Sequence, residues 1–253
     1  MVEQQHEFGG NVVASIARYD EGTTPLARGS YLYSWVRMKP NSQVHFNELL
    51  AYTVFMVPGD TVASIAIEGS DEQLGTGDSA EIAGRPLSLQ SGNVPAVLLV
   101  AASVVRNDLG HGIRLTRSGE HYCVRKPWGQ ELWINGEHPG HCLKIIEIRA
   151  GYRCSLQYHR RKEETNLILR GRARLIYQKD KTVELDEVKQ EHLGSVDISP
   201  VSSIHVRPFT LHRLEAISDL YLCEASTPDL DDVVRIQDDS RRGDGRIHSE
   251  HSC

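Results

Sequence analysis

Three residues with metal-ligand chemistry sit close together in the chain: Gln157, His159 and Glu164. Gln157 and His159 are two apart, so on a β-strand their side chains leave the same face. Four polar residues follow, and Glu164 then opens an apolar run that closes at Arg170-Gly171. This predicts a strand, a tight turn and a second strand, with three donors at the open end of a hairpin. Imidazole nitrogen, carboxylate and carboxamide oxygen form a mixed set that suits zinc, iron, manganese or cobalt. His212, in Arg207-Pro-Phe-Thr-Leu-His212-Arg213, is the expected fourth ligand. Structural zinc closes with four strong ligands, whereas a set that includes a neutral Gln is that of a site keeping positions for water or substrate.

The rest of the chain must hold these donors in place, and it does so with a repeat. Ser42-Gln43-Val-His45-Phe in the first half matches Leu156-Gln157-Tyr-His159-Arg in the second, and Leu74-Gly-Thr-Gly-Asp78 matches Leu193-Gly-Ser-Val-Asp197. Arg85-Pro-Leu-Ser-Leu-Gln90 is echoed by Arg207-Pro-Phe-Thr-Leu-His212, and Val97–Ser103 by Tyr221–Ser226. The matches keep one order and a near-constant period, as tandem copies of one unit do. Short apolar runs between Gly, Pro, Asn and Asp make each copy a β-barrel or double-sheet jelly roll. The expected division is a first domain over 1–108 and a second over 109–253, with Leu109 to Arg125 as the crossing and a mobile tail from about Asp238 that lacks apolar periodicity.

The two copies differ where chemistry is concerned. The first keeps Gln43 and His45, but Tyr52 stands at the position of Glu164 and Gln90 at that of His212. One imidazole without a carboxylate is too weak a set for a divalent cation. The first domain is therefore expected to be metal-free and structural, packing against its partner or forming a homodimer through it.

Composition narrows the partners. With 28 basic and 34 acidic residues the formal charge is −6, which indicates no general polyanion-binding surface, and no helix-turn-helix pattern is present. No nucleic acid is expected, nor a membrane, since no apolar run approaches ~20 residues and the N-terminus lacks the features of a signal peptide. Five cysteines without C-x-x-C pairing read as reduced thiols, which points to the cytoplasm.

The spacing Gly151, five residues, Gln157-x-His159, four residues, Glu164, six residues, Gly171 resembles the first motif of the cupin superfamily, with Gln157 where a His usually stands. The resemblance implies an all-β chain of two tandem cupin (double-stranded β-helix, jelly-roll) barrels. With Lys126-Pro-Trp-Gly-Gln-Glu131, Cys142-Leu-Lys144 and Ser155-Leu-Gln157, the second half is similar to the mannose-6-phosphate isomerase-like cupins from Lys126 to about Arg235. That likeness implies a metal-dependent aldose–ketose isomerase acting on a phosphorylated sugar. Gln157, His159, Glu164 and His212 would hold one divalent ion, zinc first, with Mn, Fe, Co or Ni as alternatives. It also implies that Lys144 and Arg213 act on the substrate, stabilising an enediolate or binding a sugar oxygen. Arg160-Arg161-Lys162 reads either as a phosphate clamp or as a solvated turn. The proton-transferring base stays open between Glu131, Glu147, His205 and a metal-bound water. Two other readings stand beside the isomerase: an oxygenase using His159, Glu164 and His212 as a two-His, one-carboxylate triad, and a non-catalytic sugar-binding protein.

Overall fold

The computed structural model describes residues 4–8, 12–16, 22–59, 62–104, 112–136 and 138–251. The chain opens with β1 (Gln4–Phe8) and β2 (Val12–Ile16). A first series of strands follows: β3 (Gly22–Arg28), β4 (Leu32–Met38), β5 (Gln43–Met56), β6 (Ser64–Ile67), β7 (Gln73–Gly75), β8 (Ser79–Ser91), β9 (Ala96–Val104) and β10 (Gly112–Thr116). Next come β11 (Tyr122–Lys126), β12 (Gly129–Trp133), β13 (Cys142–Ile148), β14 (Leu156–Tyr158), β15 (Glu164–Arg170) and β16 (Ala173–Gln178). The last strands are β17 (Leu193–Ile198), β18 (Ser202–Val206), β19 (His212–Ala216), β20 (Leu220–Ser226) and β21 (Val234–Gln237). The fold is all-β, and the strand pairs are antiparallel as in jelly rolls. No helix among the described residues is long and apolar enough to cross a membrane.

Two compact units result. One sheet runs β3-β4-β9-β5-β8-β6-β7, with β10 on β8; its core holds Val36, Tyr52, Val54, Met56, Leu98 and Val100. The other unit has an eight-stranded sheet, β1-β2-β18-β15-β20-β13-β12-β11, and a five-stranded sheet, β17-β16-β19-β14-β21, over a core with Ile148, Ile168, Leu175, Leu214 and Leu222. The units are discontinuous in sequence. β1 and β2 join residues 123–132 and 144 onwards, while 133–143 join the first series of strands. A repeat places a division at 108/109 but carries no sign that β2 pairs with β18. Of the expected crossing segment, Leu109–His111 lie outside the described residues, as does Cys253. The four described cysteines, Cys123, Cys142, Cys154 and Cys223, are free.

The segment from Asp238, expected to be mobile, makes side-chain contacts with the second unit. Arg242 binds Asp238 at 2.6 Å, Lys126 binds Glu250 at 2.9 Å, and Arg153 binds Asp239 at 2.8 Å. Polar side chains, not an apolar stripe, fix this segment, so hydrophobic periodicity could not reveal it.

The repeat is visible in the register. Gln43 pairs across strands with Gln90, and Gln157 pairs with His212, at the positions matched from sequence. The closing strands need a one-residue correction. Tyr52 pairs with Ala102 and Glu164 with Ser226, so Ala102, not Ser103, is the counterpart of Ser226. Gly171 sets the turn after β15: its φ is +89°, and a Cβ there would overlap the carbonyl oxygen of Asp219. Gly171→Ala should lose roughly 2–4 kcal/mol of stability through left-handed strain and this clash, read by denaturant unfolding.

Candidate metal centre

Short-range sequence and long-range pairing cooperate to build the site. His159 lies just past β14, Glu164 begins β15, and His212 begins β19. The turn between His159 and Glu164 is pinned by Asp232, whose carboxylate accepts the backbone N–H groups of Arg161 and Lys162. Burial opposes the ionised form of Asp232, but these N–H groups outweigh it and lower its pKa. The backbone N–H of Phe209 donates to the carbonyl of His159 at 2.6 Å, which ties the loop before β19 to the same turn.

His159, Glu164 and His212 are all buried, and one donor atom from each lies within 4.8 Å of the others. His159 Nε2 is 3.4 Å from Glu164 Oε2, and His212 Nε2 is 3.2 Å from Glu164 Oε1. Each imidazole faces a backbone carbonyl through Nδ1: His159 that of Asp232, and His212 that of Thr210 at 2.9 Å. A carbonyl only accepts, so Nδ1 carries the proton in both rings and Nε2 of a neutral ring presents a lone pair. Two lone pairs aimed at a carboxylate repel it unless a cation lies between them. His159 Nε2 has no hydrogen-bond partner despite full burial. The three side chains thus fit a divalent metal, with the Nδ1 bonds fixing tautomer and ring orientation as at metal-bound His.

Glu164 is held from behind. Lys162 Nζ donates to its Oε2 at 2.5 Å and to Glu224 Oε1 at 2.8 Å, and Asn166 Nδ2 donates to Oε1 at 3.0 Å. Burial raises the pKa of Glu164, but the Lys162 ammonium outweighs it and holds the carboxyl well below its usual range. Burial alone lowers that of Lys162, yet Glu164 and Glu224 raise it above the ordinary lysine value.

The other expected site residues fall into place differently. Gln157 stands directly across from His212, and its Oε1 accepts the Ser155 hydroxyl at 2.5 Å. Lys144 is buried, shares a strand face with the core residues Ile146 and Ile148, and lies 3.6 Å from Glu131. Arg213 is next to His212 on β19, so alternation sends it to the opposite sheet face, where Gln237 takes it through its backbone carbonyl at 2.9 Å. The structure therefore separates Arg213 from the triad. Arg160-Arg161-Lys162 is no single clamp: Arg161 is exposed on Asp229, whereas Lys162 points inward. Lys162, Asn166, Glu224 and Asp232 are the residues missed from sequence. Lys162 and Asn166 were within reach, because counting back and forward by two from Glu164 finds both.

In the first unit Gln43 donates to Gln90 at 3.1 Å and His45 meets Ser88 at 3.0 Å. The counterpart of Glu164 is the ring of Tyr52, buried in the core, its phenol on the Glu48 carbonyl. Burial, with Glu48 adding to it, pushes this phenol up to about 12.

Residues 115–238, just under half of the chain, match the family model described as mannose-6-phosphate isomerase C-terminal. Protein Ylba from E. coli superposes with a TM-score of 0.66 at 11% identity, over 89% of this chain and 94% of that one. Oxalate decarboxylase of Lactobacillus farciminis, in its formate complex, gives 0.59 at 10%, over 92% and 86%. The Bacillus subtilis oxalate decarboxylase, described with Mn(II) centres, gives 0.61 at 13%, over 92% and 77%. The fold is a cupin fold. At these identities the structural likeness carries fold and nothing finer. A comparison with curated proteins finds no match.

Proposed function

We propose that the chain is a metal-dependent sugar-phosphate isomerase interconverting an aldose and a ketose in its second barrel. The observation that carries this reading is the pair of bare Nε2 atoms of His159 and His212 converging on a carboxylate, inside the stretch that matches the isomerase family model. His159, Glu164 and His212 would hold the ion, with Gln157 beside His212 as the fourth donor; zinc is the first assignment, and Mn, Fe, Co or Ni suit the same atoms. Such an ion polarises the carbonyl and hydroxyl oxygens of a bound sugar and acidifies the C–H between them. The protein's own part is to orient and to move the proton. Lys162 and Asn166 fix both oxygens of Glu164. Lys144 faces the barrel interior with Glu131 beside it, where it can bind a sugar oxygen, and Glu131 is the candidate for carrying the proton between C1 and C2. Arg213 has no place in this scheme. The first barrel acts as a structural partner, with a homodimer and a cytoplasmic setting as further parts of the proposal.

A second reading has its own observation. Gln157 Oε1 is engaged by Ser155, which leaves a two-His, one-carboxylate triad of the kind that oxygen-using metal enzymes employ. A panel of hexose and pentose phosphates, tested on metal-reconstituted protein, decides between them. Turnover of one member, reduced at least about 100-fold in Glu131→Gln, supports the isomerase. No turnover of any member, with oxygen consumed instead, establishes the alternative.

A further inference from the structure

The inner face of the eight-stranded sheet changes character along its length. On β15 the inward residues run Glu164, Asn166, Ile168; on β20 Glu224, Leu222, Leu220; on β13 Lys144, Ile146, Ile148. Ile168, Leu222, Leu220, Ile146 and Ile148 share one core, so the charged members share the opposite end of the face. Two further strands continue that end: Glu131 of β12 lies 3.6 Å from both Lys144 Nζ and Lys126 Nζ, the latter from β11.

The C-terminal segment delivers a carboxylate to this row. Glu250 Oε2 accepts from Lys126 Nζ at 2.9 Å, and its Oε1 accepts from Arg242 Nη1 at 3.3 Å. Arg242 is fixed in turn by Asp238 at 2.6 Å. The side chains of Lys126 and Arg242 are each 9% exposed and that of Glu250 12%, so the carboxylate has left water for two cations. Desolvating a carboxylate is unfavourable unless such partners await it. In the series of direct contacts Lys144–Glu131–Lys126–Glu250–Arg242–Asp238, three cations alternate with three carboxylates. Withdrawing Glu250 leaves one cation without its counterpart, which is the electrostatic condition for capturing an anion. Glu250 ends a short 3-10 turn, His248–Glu250, whose backbone bonds, Glu250 to Ile247 and His251 to His248, are local and can move with it.

We infer that Lys126 and Arg242 form an anion seat at the charged end of the second barrel, filled in this structure by Glu250 of the same chain, and that the anionic group of a small ligand takes the seat by displacing Glu250. The ligand chemistry is a phosphate or carboxylate, and for the ligand's identity as a sugar phosphate the inference rests on the isomerase reading. Calorimetric titration of the full-length, metal-loaded protein with inorganic phosphate, and separately with acetate, tests it. Glu250→Gln should bind the preferred anion at least about 10-fold more tightly than the unaltered protein, and adding Lys126→Met should abolish that gain. Saturating anion should also speed tryptic cleavage after Arg246, next to the withdrawn turn, several-fold in the unaltered chain, a readout that needs no variant. The ratio of phosphate to acetate affinity names the anion. Unchanged affinity in Glu250→Gln, or cleavage indifferent to both anions, overturns the seat. If sugar phosphates are isomerised while the seat fails, only the seat is lost; if Glu250→Gln gains phosphate affinity in a protein that isomerises nothing, the seat stands and the isomerase reading falls.

Discussion

His159→Ala should carry less than about a tenth of the metal of the unaltered protein after gel filtration, and its affinity should fall by at least roughly 100-fold, since each of three protein donors supplies a large share of the binding. Elemental analysis of purified protein reads the first quantity and chelator competition the second. Nε2 of His159 has no hydrogen-bond partner, so its removal takes away a ligand atom, while loss of the buried ring and of its Nδ1 bond to Asp232 also costs some stability. Glu164→Ala should lose metal as completely but also unfold more readily, because Lys162 then keeps only Glu224. Gln157→Ala is the graded case: a loss of about 10-fold or less places Gln157 outside the ligand set, and a loss as large as that of His159→Ala places it inside. Full metal content in His159→Ala would remove the site.

Lys162→Met should cost the metal-free protein roughly 3–5 kcal/mol, the range for breaking a buried charge pair by deleting one member, because two buried carboxylates lose their shared cation. Urea unfolding followed by the fluorescence of Trp128, which lies in the same core, measures it. Replacing both sides of the bond gives the control. Lys162→Met with Glu224→Gln should recover a large part of the loss, since one uncompensated charge has been withdrawn, and a double-mutant cycle puts a number on the coupling. If the single variant is as stable as the unaltered protein, the ammonium does not hold Glu164.

The donors were legible because their relations are local. Gln157, His159 and Glu164 lie within one hairpin, where spacing alone decides who shares a face. His212 was legible through the repeat, which offered Gln90 as its counterpart. Lys162 was obscured by its neighbours: in the run Arg160-Arg161-Lys162-Glu163 it reads as part of a charged turn, and only the alternation through Glu164 separates it from Arg161. Glu224 was hidden inside an apolar closing strand, although a carboxylate in such a run must find a cation or stay unpaired. Arg213 is the opposite case: likeness to a family directs it to the substrate, whereas its place next to His212 on a strand turns it to the other face, onto Gln237. The tail escaped because its anchors, from Arg153 to Asp239 and from Lys126 to Glu250, join residues far apart in sequence. Sequence gives such ion pairs no period to detect.

The hairpin of β1 and β2 imposes an order on the chain's own synthesis. β2 pairs with Ser202–Val206, so during synthesis β2 must wait until β18 has emerged before its partner exists. During that interval β2 and, later, β18 each present unpaired backbone groups to whatever is nearby. A fragment cut to begin at residue 109 would keep every proposed metal ligand and still expose β18 as a bare edge. Such a fragment should aggregate where the full chain does not, and supplying residues 1–18 as a separate peptide should reduce that aggregation.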